Sequence, residues 1–261
     1  MAVSTLAQAG PTMSSACPSL PLVDVSVVIP CLSEEEGIGW VIDRAYEGLL
    51  RAELLGEIIV VDNGSKDRTA EIAEACGATV VVEDRRGYGY AYQRGFMEAR
   101  GDIVVMSDGD ATYDLASLPE FVDAIQRGAD LVLGARLDGM EPGAMPLLHR
   151  FVGNPFFSWL FSAAFALEIS DVNSGMRAFR RHLFPPARFS QGGMEFALEM
   201  LVVAARDELR VVEIPISYKR RQGESKLRTW RDGWRSLSYL LGSKLKGPCA
   251  SYSPRTFTHL T

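Results

Sequence analysis

The chain has few of the residues that build disulfide frameworks and zinc sites. Its 261 residues include four cysteines and three histidines. The cysteines show no C-x-x-C spacing and the histidines stand far apart, so neither a disulfide scaffold nor a zinc site is indicated. A positive net charge is also lacking, since the formal charge is −6 and the isoelectric point about 5.2. This balance argues against nucleic acid as a partner, because such binding needs a basic face.

Long apolar runs are missing as well. No stretch of about 18 uninterrupted apolar residues occurs, and the nearest candidate, 151–167, is broken by Gly153, Asn154 and Pro155. Residues 1–20 contain no lysine or arginine, so they do not match a signal peptide. We therefore predict a disordered leader over 1–23 and a cytoplasmic chain, either free or peripheral at the cytoplasmic face of the membrane.

From Val25 onward, short β-branched runs alternate with amphipathic stretches of helical length. This pattern predicts an α/β fold in which helices cover a mostly parallel sheet. The predicted strands are 25–29, 57–61, 79–83, 102–106 and 130–134, and the predicted helices are 36–55, 67–76, 90–100 and 118–127. Polar clusters follow three strands, which places them at the carboxyl edge of the sheet, where such folds bind ligands.

The alternation stops after residue 134. A Gly/Pro-rich stretch, 138–146, leads into an aromatic segment, and a helix over 194–205, a strand over 211–217, a basic loop over 219–228 and a helix over 229–245 are predicted after it. We expect one domain over 24–245, divided into a first half, 24–135, and a second half, 136–245. A flexible tail over 246–261 is predicted to follow.

Two carboxylates, Asp108 and Asp110, come directly after the apolar strand that ends at residue 106. On a sharp turn they can hold a hard divalent cation, Mg²⁺ or Mn²⁺, that bridges a diphosphate. The alternative is an acidic turn that caps the next helix.

Asp62 and Gly87 follow the second and third predicted strands. A carboxylate at Asp62 suits a ribose hydroxyl or a base N–H, although turn chemistry explains its neighbours. Gly87, with Arg94 beyond it, lets backbone and a cation approach phosphate, although a plain loop explains the glycine equally well. The turn after the first strand lacks a glycine-rich motif and carries acids, which argues against a nicotinamide-dependent dehydrogenase.

Cations concentrate in the second half. Arg136 and Arg150 flank the Gly/Pro-rich stretch, and Arg221 and Lys226 belong to a compact basic loop. Arginine binds phosphate through two parallel hydrogen bonds, so these residues suit phosphate groups and a closing loop. Solvated surface charge is the alternative.

Taken in order, these motifs resemble family 2 glycosyltransferases of GT-A fold, and among them the polyprenyl (dolichyl) phosphate hexose synthases. The matching motifs are Val27-Val-Ile-Pro30 with Glu34, Val60-Val-Asp62-Asn-Gly-Ser65, Gly87 to Gly95, Asp108-Gly-Asp110, Gly134-Ala-Arg136, Ser174-Gly-Met-Arg-Ala-Phe179 and Gly223-x-Ser-Lys226. The resemblance covers about residues 25–240 and implies a Rossmann-like fold for nucleotide-diphospho-sugar transfer.

The resemblance also implies roles for individual positions. Pro30, Glu34, Asp62, Gly87 and Arg94 would bind the nucleotide sugar, with Asp108 and Gly109 at the diphosphate and Asp110 at the metal. Arg136, Arg150 and Ser174 would hold a lipid phosphate acceptor, and Arg221, Ser225 and Lys226 would form the closing loop. The Asp-Asn-Gly-Ser form favours UDP-glucose as donor, ahead of GDP-mannose. The usual asparagine before the first glutamate is Ser33 here.

Other functions stay open on the sequence. A transferase with a small soluble acceptor would need a base if that acceptor were a hydroxyl, and Glu195 and Asp171 are the candidates. A nucleotide-sugar binding module without catalysis is the third hypothesis. The aromatic segment 156–165 suits a membrane interface, the core, or the contact face of a homo-oligomer.

Overall fold

The computed structural model describes residues 23–147, 149–223 and 229–245. The strands are β1 (Val25–Cys31), β2 (Gly56–Asp62), β3 (Thr79–Val82), β4 (Ile103–Met106), β5 (Leu131–Met140), β6 (Arg177–Arg180) and β7 (Val211–Tyr218). The helices are α1 (Ile38–Arg51), α2 (Thr69–Ala75), α3 (Tyr88–Glu98), α4 (Leu118–Gln126), α5 (Asn154–Phe165), α6 (Phe196–Arg206) and α7 (Thr229–Leu245). Every strand and helix that the sequence predicts is present, with shifted ends.

The strands form one sheet in the order β3-β2-β1-β4-β6-β5-β7. The pairs β1–β2, β1–β4, β2–β3 and β5–β7 are parallel, and β6 runs antiparallel to both of its neighbours. The α/β prediction of a mostly parallel mixed sheet is confirmed. The parallel register brings the carboxyl ends of β1, β2 and β4 to one edge.

Both faces of the sheet are buried. Alternate residues of β1 point to opposite sides, as the twofold period of a strand requires: Val27 and Ile29 pack with helices α1 and α4, whereas Val28 packs with α3 and α6. Burial on both faces explains why the strands are continuously apolar.

Two elements depart from the predicted pattern. Strand β6 was not predicted, because it is four residues long and begins and ends with arginine. Helix α5 occupies the aromatic segment, and Pro155 lies in its first turn, where the missing N–H costs no hydrogen bond.

Helix α1 ends earlier than predicted. Leu54 and Leu55 lie beyond it because Glu53 takes a left-handed conformation (φ 55°) that ends the helix.

Several large apolar side chains are exposed on α5, on α7 and on the π-helical turn that precedes α5. They are Phe151, Val152, Phe156, Trp159, Trp234 and Leu241. Across the described ranges, no helix combines the length and the apolar character needed to cross a bilayer.

Candidate active site

Asp108 lies just beyond β4 at the carboxyl edge of the sheet. Its Oδ1 accepts hydrogen bonds from the hydroxyls of Tyr88, at 3.1 Å, and Tyr92, at 3.4 Å. Burial, and then repulsion from Asp110, raise the pKa of Asp108 to about 7. The carboxylate is therefore held in a place where its charge is poorly compensated by the protein.

Gly175 allows the neighbouring loop to approach Asp108 closely. A Cβ atom at this position would lie 2.6 Å from Asp108 Oδ2, which is closer than non-bonded atoms tolerate. The backbone N–H of Gly175 donates to the hydroxyl oxygen of Tyr113 at 2.8 Å, so the loop is fixed at this distance.

Asp110 is nearly buried and divides its two oxygens between two partners. Oδ1 accepts from the backbone N–H and hydroxyl of Thr112, at 3.1 and 2.6 Å. Oδ2 lies 3.1 Å from Nη1 of Arg221, whose other terminal nitrogen pairs with Glu34 at 2.5 Å. One guanidinium thus compensates two carboxylates that come from different strand ends.

The two aspartates fit a divalent cation. Carboxylate oxygens are the ligands that Mg²⁺ and Mn²⁺ prefer, and the raised pKa of Asp108 reflects a shortage of positive charge at this point. Within the described parts of the chain, no group of three or more His, Cys, Asp or Glu side chains is placed to hold a metal ion. A cation bound here would take its remaining ligands from a diphosphate and from water, as Mg²⁺ commonly does.

A cavity of about 500 Å³ opens beside these carboxylates. It is lined by Pro30, Cys31, Leu32, Glu34, Asn63, Arg86, Gly87, Tyr88, Ala91, Asp108, Gly109, Asp110, Tyr113, Arg136, Asn173, Gly193, Met194, Tyr218, Arg221 and Arg235. Its volume lies in the range of small-molecule and cofactor sites.

Asn63 organises one wall of the cavity. Its Nδ2 donates to the carbonyls of Glu83 and Arg85, at 2.7 and 2.9 Å, and its Oδ1 accepts from the backbone N–H of Gly87 at 2.8 Å. Gly87 has φ 152°, and a Cβ there would lie 2.1 Å from the carbonyl oxygen of Gly192. The glycine is therefore required by the fold, whatever it binds.

Arg136 reaches the cavity from β5 and is fixed by a buried carboxylate. Asp171 accepts from Nε and Nη2 of Arg136 at 2.6 and 2.7 Å, and from its backbone N–H at 3.2 Å. The guanidinium carbon lies 5.1 Å from the ring centroid of Tyr218. This leaves Nη1 as the guanidinium nitrogen that Asp171 does not engage. Because Asp171 is fully buried in this pair, it is poorly placed to take a proton from an acceptor.

Eight of the predicted site residues line the cavity together: Pro30, Glu34, Gly87, Asp108, Gly109, Asp110, Arg136 and Arg221. Ser225 and Lys226 lie outside the described residues. The functions of all ten stay predictions.

The other five predicted residues do not line the cavity. Asp62 Oδ1 accepts from the backbone N–H of Ser65 at 2.8 Å, which is turn chemistry. Arg94 pairs with Glu98 on α3 at 2.9 Å. Arg150 lies on the π-helical turn, with its guanidinium carbon 5.4 Å from the Phe151 ring centroid.

The remaining two, Ser174 and Glu195, are buried beside the cavity. Ser174 Oγ has no hydrogen-bond partner among the described residues. Glu195 is 2% exposed, and its Oε1 accepts from Nη2 of Arg235 at 2.5 Å.

The structure adds cavity residues for which the sequence predicted no role. Asn63 and Tyr88 lie within two of the quoted motifs, next to Asp62 and Gly87. Tyr218 and Arg235 come from β7 and α7, far along the chain from the acidic motifs. Their position depends on how distant elements pack, for which a single sequence offers no local signal.

The family model described as glycosyl transferase family 2 matches residues 26–185. The chain belongs to this family. The match spans β1 to β6 and includes both aspartates, Arg136 and Asp171. Membership confirms the predicted class of enzyme, a glycosyltransferase.

Two curated relatives come from Haloferax volcanii. A low-salt glycan biosynthesis hexosyltransferase is 42% identical over 83% of this chain and 53% of its own length, so the chain spans about half of that relative. A dolichyl-phosphate hexose transferase is 37% identical over 80% of this chain and 89% of its own length.

Solved structures of the same fold include glucosyl-3-phosphoglycerate synthase of Mycobacterium tuberculosis. Its complex with Mn²⁺ and UDP-glucose is 25% identical to this family 2 member, with a TM-score of 0.67, and the match covers 87% of this chain and 80% of that one. The similarity confirms the predicted GT-A fold.

Proposed function

We propose that this glycosyltransferase moves a hexose from a nucleotide diphosphate sugar to the phosphate group of a polyprenyl lipid. The named activity of the dolichyl-phosphate hexose transferase, which the chain matches over 89% of that protein's length, supports this acceptor. UDP-glucose is the first candidate donor and GDP-mannose the second. The complex of the 25% identical synthase with UDP-glucose supports that order.

One observation carries the proposal. A single cavity brings together two carboxylates, the partly buried Asp108 and the buried Asp110, and an arginine that a third carboxylate holds in place. The carboxylates suit a cation that binds a diphosphate leaving group, and Arg136 suits an anionic nucleophile. This combination is what transfer between two phosphate-bearing substrates requires.

An acceptor phosphate is already an anion and needs no general base. One of its oxygens forms a bond to the anomeric carbon while the bond from that carbon to the diphosphate oxygen breaks, and the electron pair leaves with the nucleoside diphosphate. Direct displacement of this kind inverts the anomeric configuration. The protein then contributes orientation and charge stabilisation, and Arg136 can supply both for the incoming phosphate.

Asp110, with Asp108, would hold Mg²⁺ or Mn²⁺. When bound, the cation supplies positive charge to the departing diphosphate. Arg221 contacts Asp110 and Glu34 at the same edge, so its positive charge is placed to stabilise that diphosphate. We also propose that Arg150 binds the acceptor phosphate, as the sequence resemblance implies.

A soluble phosphate ester is the second candidate acceptor. The structurally similar synthase has been solved with phosphoglyceric acid, and its fold matches this chain closely. The same arginine chemistry would bind either acceptor, so the two differ in what is attached to the phosphate.

The proposal is tested by offering the protein labelled UDP-glucose or GDP-mannose with Mn²⁺ or Mg²⁺ and polyprenyl phosphate, and separating the products between organic solvent and water. Labelled lipid identifies the donor and supports the lipid acceptor. Labelled phosphoglycerate product in a parallel reaction supports the soluble acceptor. Absence of UDP and GDP binding by calorimetry would remove the nucleotide-sugar proposal altogether.

A further inference from the structure

Arg235 on α7 is a cavity residue without an assigned role. Arg235 lines the cavity, and its side chain is 45% exposed. The remaining helix-borne lining residues, Tyr88 and Ala91, lie on α3. Helix α7 therefore brings a cation to the cavity from a part of the chain that lies beyond β7.

A buried carboxylate also pairs with Arg235, through one guanidinium nitrogen where Asp171 engages two of Arg136. Glu195, 2% exposed, accepts from Nη2 of Arg235 at 2.5 Å, as the fully buried Asp171 accepts from Arg136. In both pairs the carboxylate is buried and the arginine lines the cavity. A guanidinium has five N–H donors, so each arginine keeps donors beyond those its carboxylate engages.

Gly193 leaves space for this pair. A Cβ atom at Gly193 would lie 2.6 Å from Glu195 Oε2 and 3.1 Å from the guanidinium carbon of Arg235. The φ of Gly193 is not positive. A side chain at this position would therefore have to displace the ends of these two flexible side chains, and glycine leaves the ion pair its space.

The acidic edge of the cavity already has its own arginine. Arg221 bridges Asp110 and Glu34, whereas Arg136 and Arg235 form their ion pairs with Asp171 and Glu195. A phosphate monoester offers three terminal oxygens, more acceptors than one guanidinium fills. Two arginines that are each held from behind by a carboxylate are a suitable arrangement for such a group.

We propose that Arg235 binds the phosphate monoester of the acceptor together with Arg136, and that Glu195 is the positioning residue for Arg235. This inference rests on the proposed function, because it assumes transfer to a phosphate. It assigns Glu195 a task different from that of a general base. A charged hydrogen bond of this kind changes affinity by about 10- to 100-fold.

The test compares Arg235→Gln with Arg188→Gln. Arg188 is the matched control, since it also pairs with a carboxylate, Asp207, but on the surface and away from the cavity. With a short-chain isoprenyl phosphate, Arg235→Gln is expected to raise the acceptor KM about 10- to 100-fold. The KM for the nucleotide sugar, the affinity for UDP and the melting temperature should stay near those of Arg188→Gln. Phosphoglycerate in a second arm identifies which phosphate source the residue serves.

Glu195→Gln, made in the wild-type protein and in the Arg235→Gln variant, separates a positioning role from proton transfer. A positioning residue raises the acceptor KM in the wild-type background and adds little to Arg235→Gln, because its effect passes through that arginine. Equal loss of kcat in both backgrounds would instead identify a base and overturn the assignment of Glu195.

An unchanged acceptor KM in Arg235→Gln would overturn the role of Arg235, as would a fall in melting temperature accompanied by equal changes for both substrates. These results differ from failure of the proposed function, in which the wild-type protein does not bind UDP or GDP or does not transfer sugar to any phosphate.

Discussion

The two sides of the cavity carry opposite charges and are built differently. On one side, Glu34, Asp108 and Asp110 follow the carboxyl ends of parallel strands within the first half of the chain. On the other side, Arg136 and Arg235 come from a strand and a helix of the second half. Arg221, on the loop after β7, pairs with the acidic side. Arg86, on the loop after β3, is a cation contributed by the first half.

This difference shows how a single cavity can handle two anionic substrates. The acidic side cannot bind a phosphate without a cation, whereas the basic side can do so directly. Asp171 holds the buried Arg136 through two guanidinium nitrogens, so that guanidinium is oriented before any ligand arrives and little side-chain entropy is lost on binding. Glu195 orients the more exposed Arg235 through one nitrogen.

The largest effect is expected from Asp110→Asn, which removes a charge from the acidic side. The amide oxygen can still accept from Thr112, as Oδ1 of Asp110 does, so the turn should survive. We expect kcat to fall by roughly 10³-fold, the upper end of the loss seen when one preorganised group that stabilises transition-state charge is removed. Transfer assays and the melting temperature are measured together. Wild-type turnover in a folded variant would show that the acidic side is not the reaction site.

Gly175→Ala should have the next largest effect, because its Cβ would collide with Asp108 Oδ2 at 2.6 Å. A shift of that carboxylate by about 1 Å costs activity of the order of 100-fold. Gly242→Ala on α7 is the control, since nothing lies within 4 Å of its Cβ. Equal activity of the two variants would mean that the position of Asp108 is not critical.

On the basic side, Asp171→Ala tests the support of Arg136. It leaves a buried guanidinium without its carboxylate, which is expected to lower the free energy of unfolding by about 3–5 kcal/mol. The matched variant Asp207→Ala breaks a partly exposed pair with Arg188 and should cost about 0–1 kcal/mol. Urea denaturation measures both, and similar losses would remove the distinction between buried and surface pairs.

The smallest effect concerns the pH dependence of stability without divalent ions. The pKa of Asp108 is raised to about 7 by burial and by Asp110, so between its ordinary pKa and about 7 the folded state binds more protons than the unfolded state. The sign follows: this carboxyl makes the protein less stable as pH rises from about 4 to 7. Melting temperatures at pH 5 and pH 8 in a chelator should differ less for Asp108→Asn than for the wild type. An identical difference would contradict the raised pKa.

The acidic side was the more predictable from sequence. A motif that directly follows a parallel strand must lie at the carboxyl edge, so reading β1 and β4 correctly was enough to bring Glu34 and Asp108 together. Helix α5 and strand β6 were missed because local patterns in them conflict with the packing, as with Pro155 in the first helical turn and the arginines that flank a buried strand.

The basic side depended on tertiary packing. Sequence motifs indicated Arg136 and Arg221, and both line the cavity. Asp171 and Glu195 were considered as bases, whereas each forms an ion pair with an arginine. Pairings over 35 and 40 residues of sequence separation cannot be deduced from the spacing of charged residues in one chain.

Arg177 connects three segments of the second half: strand β6, the loop before it and helix α6. Fully buried, it donates to the carbonyls of Val172, Ser174 and Ala197, at 3.0, 3.0 and 2.6 Å. Its charge is solvated by backbone dipoles that come from the loop before β6 and from α6, and neither segment alone supplies all three. Strand β6, the loop before it and helix α6 therefore gain their stability cooperatively, and their amide protons should exchange with solvent as one unit.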